Sequence, residues 1–142
     1  MEENNESVKN VLVVEDEPAI AVICVRTLTT AGFHVDIAVN GKIGLGMWRK
    51  KNYDLCVSDI RTPSMSGIEM YQQLEREDPE LVKKFIFTTG DVMSGNIREF
   101  LEKTGRLYLP KPFTPEDLRN IVSKAQLILQ SNVLLAGKKR GD

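Results

Sequence analysis

Five short strand-like runs, the second of them alternating and the others mainly apolar, recur along the chain, and each is followed by a stretch with helical spacing. The runs are Val11-Leu12-Val13-Val14, His34-Val35-Asp36-Ile37-Ala38, Leu55-Cys56-Val57, Phe85-Ile86-Phe87-Thr88-Thr89 and Leu107-Tyr108-Leu109. Continuous β-branched runs mark strands buried on both faces, and such strands belong to parallel sheets. The intervening segments carry helix punctuation. Pro18 sits at a first helical turn and Gly32 stops that helix; Asn40-Gly41 opens a second over roughly 41–51. Gly44 and Gly46 lie inside this second helix and cost about 1 kcal/mol each against Ala, so it should be the weakest. Ser66 caps a third helix that ends at Asp78-Pro79. Ile97, Phe100 and Leu101 mark a fourth, ended by Gly105, and Thr114-Pro115-Glu116-Asp117 opens a fifth that runs past 130. Strict alternation predicts an α/β fold with helices on both faces of a parallel sheet. Right-handed crossovers leave few topologies, and the doubly wound (βα)5 order 2-1-3-4-5 fits best.

At 142 residues the chain builds one domain with one good core. The expected division is a disordered lead over 1–9, the domain over 10–130, and a helix extension or frayed tail over 131–142, with Lys138-Lys139-Arg140 in the tail. A net charge of −1 gives no electrostatic case for nucleic acid or an anionic membrane. No run approaches the roughly 20 apolar residues of a membrane span, and the acidic N-terminus is no signal peptide, so the expected location is the cytoplasm. Cys24 and Cys56 have no metal-type or redox spacing and read as reduced core residues.

In a doubly wound sheet the ligand site lies outside the carboxyl ends of the strands. The residues predicted there are Glu15 and Asp16, Asp59, Thr89 and Lys111. Alone, each has a bland explanation: an acidic helix start, a turn Asp, a strand Thr, a loop Lys. Their coincidence at strand ends is the signal. Two carboxylates about 4 Å apart repel by about 4 kcal/mol at an effective dielectric of 20, more than one ammonium offsets for three acids. A divalent cation completes such a set, and all-oxygen ligation suits Mg²⁺. Asp16, Asp59 and the Arg61 carbonyl are the candidate direct ligands, with Glu15 acting through water. Beside the metal, Asp59 could attack a phosphoryl group, whose oxygens would meet Mg²⁺, Lys111 and the Thr89 hydroxyl.

These motifs resemble the response-regulator receiver domain of two-component signalling. The matching stretches are Val13-Val14-Glu15-Asp16-Glu17, Ser58-Asp59 with Pro63 and Gly67, Thr88-Thr89-Gly90, and Tyr108 with Lys111-Pro112-Phe113, together about residues 10–130. The resemblance implies a flavodoxin-like fold and a phosphoacceptor module that takes a phosphoryl group onto Asp59. The donor would be a histidine kinase, a histidine phosphotransfer protein or a small phosphodonor. It assigns Mg²⁺ to Glu15, Asp16, Asp59 and the Arg61 carbonyl, makes Thr89 and Tyr108 a switch pair, and implies a cis bond before Pro112. Such a module is not an enzyme in the ordinary sense: it catalyses only phosphoryl transfer to, and hydrolysis from, its own aspartate. The surroundings of Thr89 and Lys111 look similar to receivers of hybrid histidine kinases.

Arg61 is bulkier and more basic than many residues found two positions after the acceptor, and Asp91 could face it. A pair between them would shield the phosphorylation site from water. Val22 and Val25 on the first helix, and Leu127, Val133, Leu134 and Leu135 near the end, offer a contact surface for a kinase, a phosphotransfer protein or a second copy in a homodimer. A haloacid-dehalogenase-type phosphatase needs a second Asp where Arg61 stands, and a flavin carrier needs a phosphate loop where Glu15-Asp16 stand. Too few residues follow the fifth helix for a DNA-binding output domain. The alternative of a different class is a catalytically silent receiver used for docking or dimerisation.

Overall fold

The computed structural model describes residues 9–91 and 94–141, the last nine as backbone only. The lead expected over 1–9 lies outside the described residues except for Lys9, as do the side chains of Val133, Leu134 and Leu135. In chain order the elements are β1 (Asn10–Val14), α1 (Pro18–Thr30), β2 (His34–Ala38), α2 (Gly41–Lys50), β3 (Leu55–Asp59), α3 (Gly67–Glu77), β4 (Phe85–Thr89), α4 (Gly95–Thr104), β5 (Leu107–Pro110) and α5 (Pro115–Gly141). A short 3-10 turn over Leu81–Lys84, which the sequence reading passed over, leads into β4. The backbone of α5 is helical through Gly141, a range that takes in Lys138, Lys139 and Arg140.

The strands form one parallel sheet in the order β2-β1-β3-β4-β5, as the alternation predicted. Side chains alternate across it. Leu12, Val14, Cys56, Phe85 and Phe87 join one cluster with Leu45, Met70, Leu74 and Ile97 of α2, α3 and α4. Val11, Val13, Leu55, Val57 and Ile86 join the other with Cys24 and Leu28 of α1 and Leu118 and Val122 of α5. Burying each such side chain stabilises by about 1.5–3 kcal/mol before chain entropy is counted. Both faces of the central strands β1, β3 and β4 are covered, so these need no polar alternation, while the edge strands β2 and β5 keep exposed positions.

Helix caps follow the sequence signals. Ser66 and Glu69 make a reciprocal capping box on α3, and Thr114 and Asp117 do the same on α5. The side chain of Asn40 accepts from the Ile43 N–H at 2.9 Å. Gly44 has a packing reason that its helix propensity hides. A Cβ there would stand 3.0 Å from Val14 Cγ2 and 3.2 Å from Met70 Sδ, so the glycine seats α2 against β1 and α3.

Candidate functional site

The sheet register decides what converges at the carboxyl ends. Val14 pairs with Ser58, so Glu15 and Asp59 leave neighbouring strands side by side. Asp59 pairs with Thr88 and Thr89 with Pro110, which sets Lys111 beyond both. The Lys111 N–H donates to the Thr89 carbonyl at 2.8 Å, and the Lys111-Pro112 bond is cis.

Asp59 is only 6% exposed and Glu15 only 3%. Between them sits the Lys111 ammonium, 2.9 Å from Asp59 Oδ2 and 3.0 Å from Glu15 Oε1. The Arg61 N–H donates to Asp59 Oδ1 at 3.2 Å, and the Glu17 N–H to Glu15 Oε2 at 3.1 Å. Each buried carboxylate thus has one ammonium and one backbone donor. Burial raises the Glu15 pKa above its ordinary value; the Glu17 N–H and Lys111 oppose the shift, and the Asp59 charge adds to it. Burial alone would lower the Lys111 pKa, but its hydrogen bonds to Asp59 and Glu15 outweigh that and raise it. Lys111 is therefore a fixed positive charge at neutral pH.

The third carboxylate at the site is Glu17. Glu15, Glu17 and Asp59 each bring an oxygen to within 4.8 Å of the others, while Asp16, expected as a direct metal ligand, is exposed and outside that group. The backbone enters α1 in an extended conformation at Glu17, with φ −88° and ψ 113°. Glu15 and Glu17 both reach the Lys111 ammonium, at 3.0 Å and 3.5 Å, while Asp16 sits exposed at a bend between them.

Thr89 lies at the pocket edge, buried, with its hydroxyl accepting the Asp91 N–H at 3.0 Å. Tyr108 is 44% exposed on β5. Arg61 Nη2 meets Asp91 Oδ2 at 3.1 Å, an exposed ion pair that joins the loop after Asp59 to the loop after Thr89.

The loop from Ile60 to Ser66 is pinned by its backbone. The Ile60 N–H donates to the Thr88 carbonyl and the Gly67 N–H to the Ile60 carbonyl. Thr62, which the sequence did not single out, donates its hydroxyl to the Met65 carbonyl at 2.6 Å and accepts the Gly41 N–H at 3.1 Å. Gly67 is obligatory for close approach: a Cβ there would be 2.3 Å from the Asp59 carbonyl oxygen. α3 can therefore start directly behind Asp59.

A cleft of about 350 Å³ opens beside the carboxylates, lined by Glu17, Ile20, Ile23, Lys111, Pro112 and Phe113. A larger cavity of about 520 Å³, lined by Lys9, Asp54, Leu55, Lys84 and Leu129 among others, lies at the amino ends of the strands, the opposite end from Asp59. Both cysteines are buried and free, and burial pushes the Cys24 thiol up to about 12 and Cys56 higher still, so neither is a nucleophile. No helix among the described residues is long and apolar enough to cross a membrane.

The donor set fits a hard divalent cation: carboxylate oxygens only, two of them buried, with more negative charge than one lysine neutralises.

Comparison with known proteins agrees with this chemistry. The response regulator receiver domain family matches residues 11–123. The response regulator ArlR of Staphylococcus epidermidis is 32% identical over 111 residues, which cover 77% of this chain and 48% of ArlR. The aerobic respiration control sensor protein ArcB of Escherichia coli is 30% identical over 116 residues, 81% of this chain and 15% of ArcB. The chain thus spans half or less of the length of these relatives. Among solved structures, the response regulator protein TrrA of Thermotoga maritima, in complex with Mg(2+)-BeF, superposes with a TM-score of 0.70 at 30% identity, covering 83% of this chain and 99% of TrrA.

Proposed function

The chain belongs to the response regulator receiver domain family, and from that premise we propose that Asp59 accepts a phosphoryl group from a phosphohistidine of a kinase or phosphotransfer partner. The observation that carries the proposal is a buried Asp59 held 2.9 Å from Lys111, with Glu15 beside it, at the side of an open cleft. Glu15, Asp59 and the Arg61 carbonyl, with Asp16 after a side-chain rotation, would hold Mg²⁺. The metal supplies charge neutralisation for the phosphoryl oxygens.

The chain's own residues do the rest. The Asp59 carboxylate attacks phosphorus, the P–N bond to the donor breaks, and the imidazole departs. Lys111 holds Asp59 in place and gives a fixed charge to a phosphoryl oxygen. The Arg61 N–H fixes the other carboxylate oxygen, so that one face of Asp59 stays in register with the cleft. Thr89 would leave the Asp91 N–H for the new phosphoryl group, and Tyr108, now outward, would turn in behind it. Ile20, Ile23, Pro112 and Phe113 give a partner helix an apolar footing beside the acceptor. The functional unit is residues 10–130, working in the cytoplasm as a phosphoacceptor rather than a turnover enzyme.

Incubation with acetyl phosphate and Mg²⁺, followed by intact mass measurement, tests the proposal. One phosphoryl group is gained, and the gain is lost in Asp59→Asn or with EDTA. No gain from acetyl phosphate or from a cognate kinase would instead favour a silent docking module.

A further inference from the structure

Lys111 has three N–H donors, and all three are engaged by carboxylates. They go to Asp59 Oδ2 at 2.9 Å, Glu15 Oε1 at 3.0 Å and Glu17 Oε1 at 3.5 Å. A phosphoryl oxygen that is to bind Lys111 must displace one of them. Asp59 and Glu15 are buried, and each carboxylate is also held by a backbone N–H. The Glu17 side chain is 62% exposed, makes the longest of the three contacts, and lines the cleft beside Asp59. It also stands at the N-cap of α1 without making a side-chain capping bond.

From this geometry we infer that Glu17 is a displaceable anionic cap on Lys111, a positioning residue that opposes entry of the phosphoryl group until Lys111 is released to it. The inference rests on the phosphoacceptor reading. Before reaction, Glu17 occupies the ammonium donor that the phosphoryl oxygen will need, and its charge repels an anionic donor at the mouth. Once a cation is bound, the same charge favours the cation. Glu17 therefore acts with opposite sign on the two ligands of the site: it strengthens metal binding and weakens acceptance of the anion. A residue that merely supports the fold would shift both in the same direction.

The test compares wild type, Glu17→Gln and Glu17→Asp. Glu17→Gln removes the charge but keeps the backbone N–H that holds Glu15 Oε2. Mg²⁺ affinity is measured by calorimetry on the metal alone. The second-order rate of modification by acetyl phosphate is measured at saturating Mg²⁺, where the small donor needs no docking surface. For a donor dianion at the mouth, removing one exposed charge should raise the rate about fivefold at low salt, with a smaller gain at high salt. Mg²⁺ affinity should fall at least twofold. Glu17→Asp keeps the charge on a shorter arm and should move the rate less than Glu17→Gln. A Glu17→Gln rate within twofold of wild type, or a fall in both rate and metal affinity, overturns the cap while leaving the phosphoacceptor reading standing. A wild type that takes no phosphoryl group from any donor overturns that reading and the cap with it.

Discussion

Replacing Lys111 by Met keeps the length of the side chain and removes the ammonium between two buried carboxylates. Lys111 touches Asp59 at 2.9 Å and Glu15 at 3.0 Å, and its side chain is only 14% exposed. Removing one partner of a buried ion pair costs about 3–5 kcal/mol, because the remaining charge is left uncompensated. The cleft lets water reach the pocket, so the expected loss at pH 7 is about 3 kcal/mol, the lower end of that range. The pH dependence gives the sign. Glu15 already has a folded pKa above its unfolded value. A group with a raised folded pKa contributes stability that is present below the unfolded pKa and is lost as pH rises through the folded one. Without Lys111 that folded pKa rises further, so the loss of stability on going from the ordinary carboxylate range to neutral pH grows. Urea unfolding of both proteins at acidic and neutral pH, with and without Mg²⁺, measures this. The deficit should be largest at neutral pH in EDTA and should shrink on acidification or addition of Mg²⁺. A deficit independent of both would refute the electrostatic argument and make Lys111 a packing residue.

If the exposed Arg61–Asp91 pair screens the acceptor from water, Arg61→Ala should shorten the lifetime of phospho-Asp59; an unchanged half-life in a single-turnover decay assay rejects the idea. Gly67→Ala should destabilise by about 1–3 kcal/mol, the usual range for overpacking, since its Cβ would fall 2.3 Å from the Asp59 carbonyl; a melting temperature equal to wild type would show that the α3 start can retreat freely.

Much of the fold was legible because local and global preferences agree. Val11 to Val14 can only be a strand covered on both sides, and the structure buries all four. Ser66 with Glu69 and Thr114 with Asp117 announce helix starts through backbone donors that any helix must satisfy. The contribution of Gly44 was hidden, since propensity counts its cost in α2 and cannot see Val14 and Met70 across the gap. The 3-10 turn before β4 carries no periodic pattern and was missed for that reason.

The site divides along the same line. Residue order and the chirality of βαβ crossovers were enough to bring Glu15, Asp59, Thr89 and Lys111 to one end of one sheet, since strand ends are a property of topology. Which groups then meet was left to tertiary structure. The bend after β1 leaves Asp16 exposed and lets Glu15 and Glu17 both reach Lys111. The Asp91 N–H holds the Thr89 hydroxyl, and Tyr108 stands out toward water. Three carboxylates share the three donors of one ammonium. Sequence specifies which charges arrive. Their partners are decided only once burial has removed the water that would otherwise have solvated each of them.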